Sequence, residues 1–139
     1  MIDFLKKNRV YLIYLPLVVY WLILFIATSI PVDFIPAVGV SDKFNHFFAY
    51  MVLSVLLYFT FSFQTRSEIL KKHPAIMTTL VGSLYGIVDE LHQMLIPGRS
   101  AELLDWIADF LGTLTGMLLA RLLYQKFNSM DIPKRSSGK

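Results

Sequence analysis

Apolar residues run in four long stretches along this chain, separated by short polar or proline-rich breaks. The first, about 10–29, contains no Asp, Glu, Lys, Arg or His. The second, about 44–63, contains His46 as its one ionisable residue apart from tyrosines. The third, about 75–96, is apolar until Asp89, Glu90 and His92, and the fourth, about 101–124, carries Glu102, Asp105 and Asp109 near its start. Each is close to the roughly 20 residues a helix needs to cross a bilayer. The pattern predicts an all-α integral membrane protein with four transmembrane helices.

The breaks agree with that division. Pro31 and Pro36 end the first stretch, and Phe34 and Ile35 between them predict a connector lying at headgroup level. Residues Gln64 to His73 are polar and lead into Pro74, which suits a helix start. Pro97-Gly98-Arg99-Ser100 reads as a tight turn, with Ser100 as N-cap of the fourth helix. Residues 1–127 form one four-helix domain, and 128–139 form a polar tail that frays. The first stretch has a basic start and a small-residue Ala27-Thr28-Ser29 end, like a signal peptide. It exceeds the roughly 7–15 apolar residues of such a peptide, so a retained helix is expected.

Composition sharpens the picture. Of 139 residues, 55% are hydrophobic and 17% charged, and the mean hydropathy is +0.57. Soluble domains carry about 25% charged residues. A chain this poor in polar groups lacks a coat for a water-facing surface, which disfavours both a soluble domain and a disordered one. The absence of cysteine excludes disulfides, thiolate metal sites and a Cys nucleophile. The net charge of +3 is too small to suggest nucleic acid as a partner.

The placement of charge says more than its sum. Eleven of the thirteen Lys and Arg residues fall at the N-terminus, in the middle loop or toward the C-terminus, leaving Lys43 and Arg99 on the other side. Both termini should therefore be cytoplasmic, with the first and third connectors facing outward. Seven of the ten acids gather at the outer side: Asp33, Asp42, Asp89, Glu90, Glu102, Asp105 and Asp109. Helical spacing stacks Asp42, His46 and Tyr50 on one face of the second helix. It does the same for Gly82, Gly86, Glu90 and Gln93 on the third, and for Asp105, Asp109, Gly112, Gly116 and Ala120 on the fourth. Small residues four apart let membrane helices approach closely. The third and fourth helices should pair through their small faces and collect their polar ends in one outward pocket. The second helix joins them, and the first packs outside or faces lipid. Asp109 lies roughly 12 Å below the expected start of its helix. At such depth an ionisable group faces a bundle interior.

That pocket holds the candidate chemistry. His46 suits a general base or acid, and Glu90, Asp105 and Asp109 supply carboxylates beside it. Asp42, Lys43, Tyr50, Gln93 and Arg99 are candidate substrate-binding residues, with Arg99 able to grip a phosphate or carboxylate through two parallel hydrogen bonds. Ser41 and Ser100 lie in no recognisable nucleophile motif. The competing reading of the same residues is a buried ion network tying helix ends together. A metal set drawn from His46, Glu90, Asp105 and Asp109 would mix nitrogen and oxygen ligands. No H-E-x-x-H or Glu-x-x-His spacing accompanies it, so no metal ligand and no cofactor are assigned.

Two motifs resemble a known family. Ser41-Asp42-Lys43-Phe44-Asn45-His46-Phe47-Phe48-Ala49-Tyr50 is similar to the first signature of the VanZ-like membrane proteins. Tyr85-Gly86-Ile87-Val88-Asp89-Glu90-Leu91-His92-Gln93, then Pro97-Gly98-Arg99-Ser100, then Asp105, Asp109, Gly112 and Gly116, is similar to the second. Asp109 departs from the Asn of many members. The resemblance implies a multi-pass protein of the bacterial plasma membrane and a role in the cell envelope, where the best-known member confers teicoplanin resistance. The implied partners are membrane lipids and a lipid-linked cell-wall precursor or a lipoglycopeptide antibiotic. The resemblance supplies no reaction; if the pocket is catalytic, its residues suit hydrolysis or group transfer on an envelope lipid. The alternatives are a non-catalytic binder that shields antibiotic or precursor, and a small proton-coupled exporter. The exporter fits least, because the inner half of the chain lacks an ionisable relay.

Overall fold

The computed structural model describes residues 2–31, 33 and 41–130. The connector around Phe34 and Ile35, expected at headgroup level, lies outside the described residues, as does the end of the tail. Among the described residues the architecture is all-helical, with no strand.

A short helix α1 (Ile2–Lys7) leads through a single π-helical turn, Val10–Tyr14, into α2 (Leu15–Thr28). Pro16 explains the wide turn. Proline has no N–H to donate, and its ring crowds the carbonyl four residues back. The backbone opens just ahead of it, and the Leu15 N–H reaches back five residues to the Val10 carbonyl.

Helix α3 (Asp42–Phe63) starts after Ser41, whose backbone is extended, and stops at Gln64. The Gln64 side-chain oxygen accepts the amides of Arg66 and Ser67, at 2.8 and 2.9 Å. Ser67 then caps the one-turn helix α4 (Glu68–Lys72) by accepting the Leu70 amide. Helix α5 (Pro74–Gln93) opens on proline, where the missing N–H loses nothing. Ile96-Pro97-Gly98-Arg99 then makes a tight turn, closed by the Arg99 amide on the Ile96 carbonyl at 3.1 Å. Gly98 sits at φ 77°, the left-handed value that this turn asks of its third residue.

Helix α6 runs from Leu103 to Met130. Ser100, expected as its N-cap, is exposed and lies ahead of the helix. The entry is held from outside, by the Glu90 carboxylate accepting the Glu102 amide at 2.8 Å. Asp109 is consequently six residues into α6, about 9 Å rather than 12 Å. At 28 residues α6 would be about 42 Å long, more than a bilayer core is thick.

Packing directions follow from the contacts. Gly112 lies against the Phe47 carbonyl and Gly116 against the Met51 carbonyl, so α3 and α6 run parallel with their backbones nearly touching. Helix α5 runs antiparallel to α6, with Gly82 facing Thr113 and Gly86 facing Asp109 and Trp106. This corrects the expected pairing of the two glycine faces. The small face of α5 does meet α6, but the glycines of α6 serve α3. Beside α3 and α5, α2 packs Leu17 and Leu24 against Tyr50, Leu53 and Leu57. A second apolar cluster joins Ile13 and Phe63 to Tyr124 and Phe127.

Among the described residues the interior mixes apolar and polar side chains, while many large apolar side chains face outward. Ser54, Thr78, Asp109 and Thr113 have no measurable exposure, whereas Leu22, Ile26, Leu84, Leu118 and Leu122 face outward. A lipid environment suits that distribution. Among the described residues, three helical stretches are long and apolar enough to cross a membrane: Val10–Thr28, Asp42–Phe63 and Leu103–Met130. The 20 residues of α5 pack among them and carry Asp89 and Glu90 near their end.

Candidate functional site

The parallel register of α3 and α6 sets His46 beside Asp109, one turn from the Phe47–Gly112 contact. His46 Nδ1 and Asp109 Oδ1 are 2.9 Å apart, in a hydrogen bond between two buried side chains. Glu90 arrives from the antiparallel α5. Its Oε2 accepts the Glu102 amide, which directs Oε1 to 4.0 Å from His46 Nδ1. Exposures are 6% for His46, 7% for Glu90 and 0% for Asp109. Two carboxylates and one imidazole are thus gathered with little exposure.

A second layer closes the outer rim. Lys43 donates to Glu102 at 2.8 Å and lies 3.0 Å from Asp105. It ties the first turn of α3 to the start of α6. Glu102, in the connector ahead of α6, has its carboxyl held below the ordinary carboxylate range by the Lys43 ammonium that donates to it. Asp42 and Asp105 approach His46 from this side. One atom from each of Asp42, His46 and Asp105, or from each of His46, Glu90 and Asp109, falls within 4.8 Å of the others, so either trio could hold a metal ion.

Arg99 works on the opposite flank. Its guanidinium donates to Gln93 Oε1 at 3.0 Å and to the carbonyls of Ile30 and Ala27 at 3.0 and 3.2 Å. Ala27 is in the last turn of α2 and Ile30 lies just beyond it, where a cation is favoured. Three of five guanidinium N–H groups are engaged, and two remain. Gln93 in turn donates to Asp89 at 3.4 Å.

Between these flanks lies a cavity of about 340 Å³. Leu24, Ala27 and Ile30 of the α2 side form an apolar wall, while Asp42, His46, Asp89 and Arg99 present polar groups. Tyr50 lines it too, its ring 5.9 Å from that of Tyr85.

All nine candidate residues therefore gather at one end of the bundle. His46, Glu90 and Asp109 form the buried group, Lys43 and Asp105 the rim, and Asp42, Tyr50 and Arg99 the cavity lining. Gln93 lies behind Arg99. Asp89 was missed: it is buried at 4% exposure and lines the cavity. Its position next to Glu90 turns it some 100° off the Gly82–Gly86–Glu90 stripe, and the four-residue step to Gln93 was the available signal. His92 faces elsewhere, hydrogen-bonded to Ser29 at 3.0 Å and stacked on Phe25.

Residues 9–124 match the VanZ/LLP1 family. The chain belongs to that family. Every residue of the buried group, the rim and the cavity lies within the matched span. An uncharacterized protein of Schizosaccharomyces pombe is similar to it, 26% identical over 126 residues, covering 90% of this chain and 70% of the relative. No solved structure matches the chain.

Proposed function

We propose that this VanZ/LLP1 protein takes an amphiphilic molecule of the cell envelope into its cavity and hydrolyses or transfers the polar group. In this reading α5 is the fourth span, both termini are cytoplasmic, and the cavity opens at the outer face of a bacterial plasma membrane. The cation asymmetry between connectors supports that orientation.

One observation carries the proposal: a single cavity has an apolar wall from α2 and polar groups from α3, α5 and Arg99. An acyl or prenyl chain suits the first, and a phosphate or other anionic head suits the second. The two uncommitted N–H groups of Arg99 are the anion donors. His46, held by Asp109, is the proton carrier beside the head group, since a carboxylate partner fixes the orientation of an imidazole. Lys43, Glu102 and Asp105 lock the helix starts that position these groups. A relative in a yeast favours a lipid or lipid-linked substrate over a wall polymer restricted to bacteria. Teicoplanin resistance would then follow from altered envelope precursors.

The test is purified protein in nanodiscs with labelled phospholipids and lipid-linked wall precursors, read for a modified product. Turnover in the native protein, reduced at least 100-fold in His46→Ala, is expected. Stoichiometric binding without turnover would assign the protein to the binder class instead. Teicoplanin susceptibility at matched expression tests the physiological arm, with Glu90→Gln, Arg99→Ala and Asp105→Asn expected to lose any protection.

A further inference from the structure

The geometry points to a divalent-cation site built by His46, Glu90 and Asp109. The three side chains come from α3, α5 and α6, and one ligand atom from each falls within 4.8 Å of the others. Metal–ligand bonds of about 2.1 Å place neighbouring ligands of an octahedral ion about 3.0 Å apart and opposite ones about 4.2 Å apart. His46 Nδ1 lies 2.9 Å from Asp109 Oδ1 and 4.0 Å from Glu90 Oε1. Those spacings match a neighbouring and an opposite pair.

An independent observation concerns the oxygens left over. Glu90 Oε1 and Asp109 Oδ2 are buried and have no hydrogen-bond partner. Glu90 Oε1 is aimed at His46, because the other carboxylate oxygen is occupied by the Glu102 amide. A buried oxygen without a donor costs about 1–3 kcal/mol, and more when charged. An ordinary His–Asp pair would neutralise one carboxylate and leave Glu90 unmatched. A divalent cation held by a neutral imidazole and two carboxylates brings the local charge to zero and gives Glu90 Oε1 a partner.

The donor set selects the ion. One imidazole with carboxylates suits Mn²⁺ or Zn²⁺, whereas Ca²⁺ prefers six to eight oxygens. Ligation uses the Nδ1 lone pair and so replaces the His46–Asp109 hydrogen bond, leaving Nε2 as the nitrogen that can carry a proton. Three protein ligands leave coordination positions open, and His46 borders the cavity. Contact between the ion and a substrate head group there rests on the proposed function. The binding of the ion does not.

The experiment uses the full chain in detergent, stripped with EDTA and titrated with Mn²⁺ followed by electron paramagnetic resonance, then with Zn²⁺ by calorimetry. One equivalent per chain is expected, with a raised thermal midpoint. Glu90→Gln and His46→Ala should weaken binding at least 10-fold, whereas Glu68→Gln, on the exposed helix α4, should bind like the native chain. Circular dichroism of each variant separates lost ligation from lost folding, and Glu90→Gln keeps an acceptor for the Glu102 amide. Absence of stoichiometric Mn²⁺ or Zn²⁺ binding, or unchanged binding in a folded Glu90→Gln chain, would overturn the site. Lipid turnover in a chain that binds neither ion stoichiometrically would overturn the site while leaving the enzymatic reading intact. Metal binding without lipid turnover would do the reverse.

Discussion

Asp109 is the side chain on which most of the site depends. It is fully buried, bonds His46, and lies against Gly86. Removing one member of a buried charged pair costs about 3–5 kcal/mol, because the partner is left without compensation. Asp109→Ala is therefore expected to lower unfolding stability in detergent by about that amount. Asp109→Asn keeps the volume and an oxygen acceptor for the imidazole, and should lose clearly less. Equal losses in the two variants would mean that the pair does not carry the stability of this region. His46 and Asp109 were readable in advance because both stand on helical stripes, where four-residue spacing alone assigns a face. Arg99 was readable only as a lone outer cation. Its bonds to Ala27 and Ile30 span 72 and 69 residues of sequence, and periodicity carries no information about contacts of that range.

Helices α3 and α6 are locked by glycines, and the atoms opposite them decide what a substitution does. A Cβ on Gly116 would run into the Met51 carbonyl, which cannot move without pushing the helices apart. A Cβ on Gly82 would meet both branches of the Thr113 side chain, Cγ2 at 2.6 Å and Oγ1 at 2.8 Å, and a side chain yields more readily than the backbone carbonyl opposite Gly116. Gly116→Ala should therefore cost about 1–3 kcal/mol, and Gly82→Ala distinctly less, when both are compared by unfolding. Four-residue glycine spacing showed that close contacts exist but not with which helix, since α6 has neighbours on two sides. The connector between α5 and α6 responds to a different variable. Glu102 titrates below the ordinary carboxylate range because the Lys43 ammonium favours its charged form. A lowered pKa in the folded state means that this contribution is complete above the ordinary range and disappears as pH falls through the lowered value. The thermal midpoint of the native chain should exceed that of Glu102→Gln at neutral pH. The difference should shrink toward zero in acid, and a gap that persists would dissociate the Lys43 contact from helix anchoring.

The bundle as a whole has its chemistry at one end, and the value of that asymmetry depends on which way the chain enters the membrane. A shortage of charge disfavoured a water-facing fold, and the hydrophobic pattern marked four stretches, of which three correspond to helices long and apolar enough to cross a membrane among the described residues. Neither alone could show that α5, whose end carries Asp89 and Glu90, sits with α3 and α6 around the buried carboxylates; the four-residue spacing of small and polar residues predicted that grouping, but not which helix each glycine would meet. The same arrangement makes orientation testable without background. The chain contains no cysteine, so one introduced at a time is the sole thiol. Ser41, Thr65, Ser100 and Ser129 are all exposed and sit beyond helix ends or near the end of α6. Ser41→Cys and Ser100→Cys should react with a membrane-impermeant maleimide in intact cells. Thr65→Cys and Ser129→Cys should react only after permeabilisation. The reverse pattern would place His46, Glu90 and Asp109 at the cytoplasmic face, which would exclude outer envelope precursors and leave cytoplasmic amphiphiles as the molecules the cavity could meet. Labelling of Ser100→Cys and Ser129→Cys from the same side would instead remove α6 as a span, and with it the lipid-facing environment that the outward leucines of that helix require.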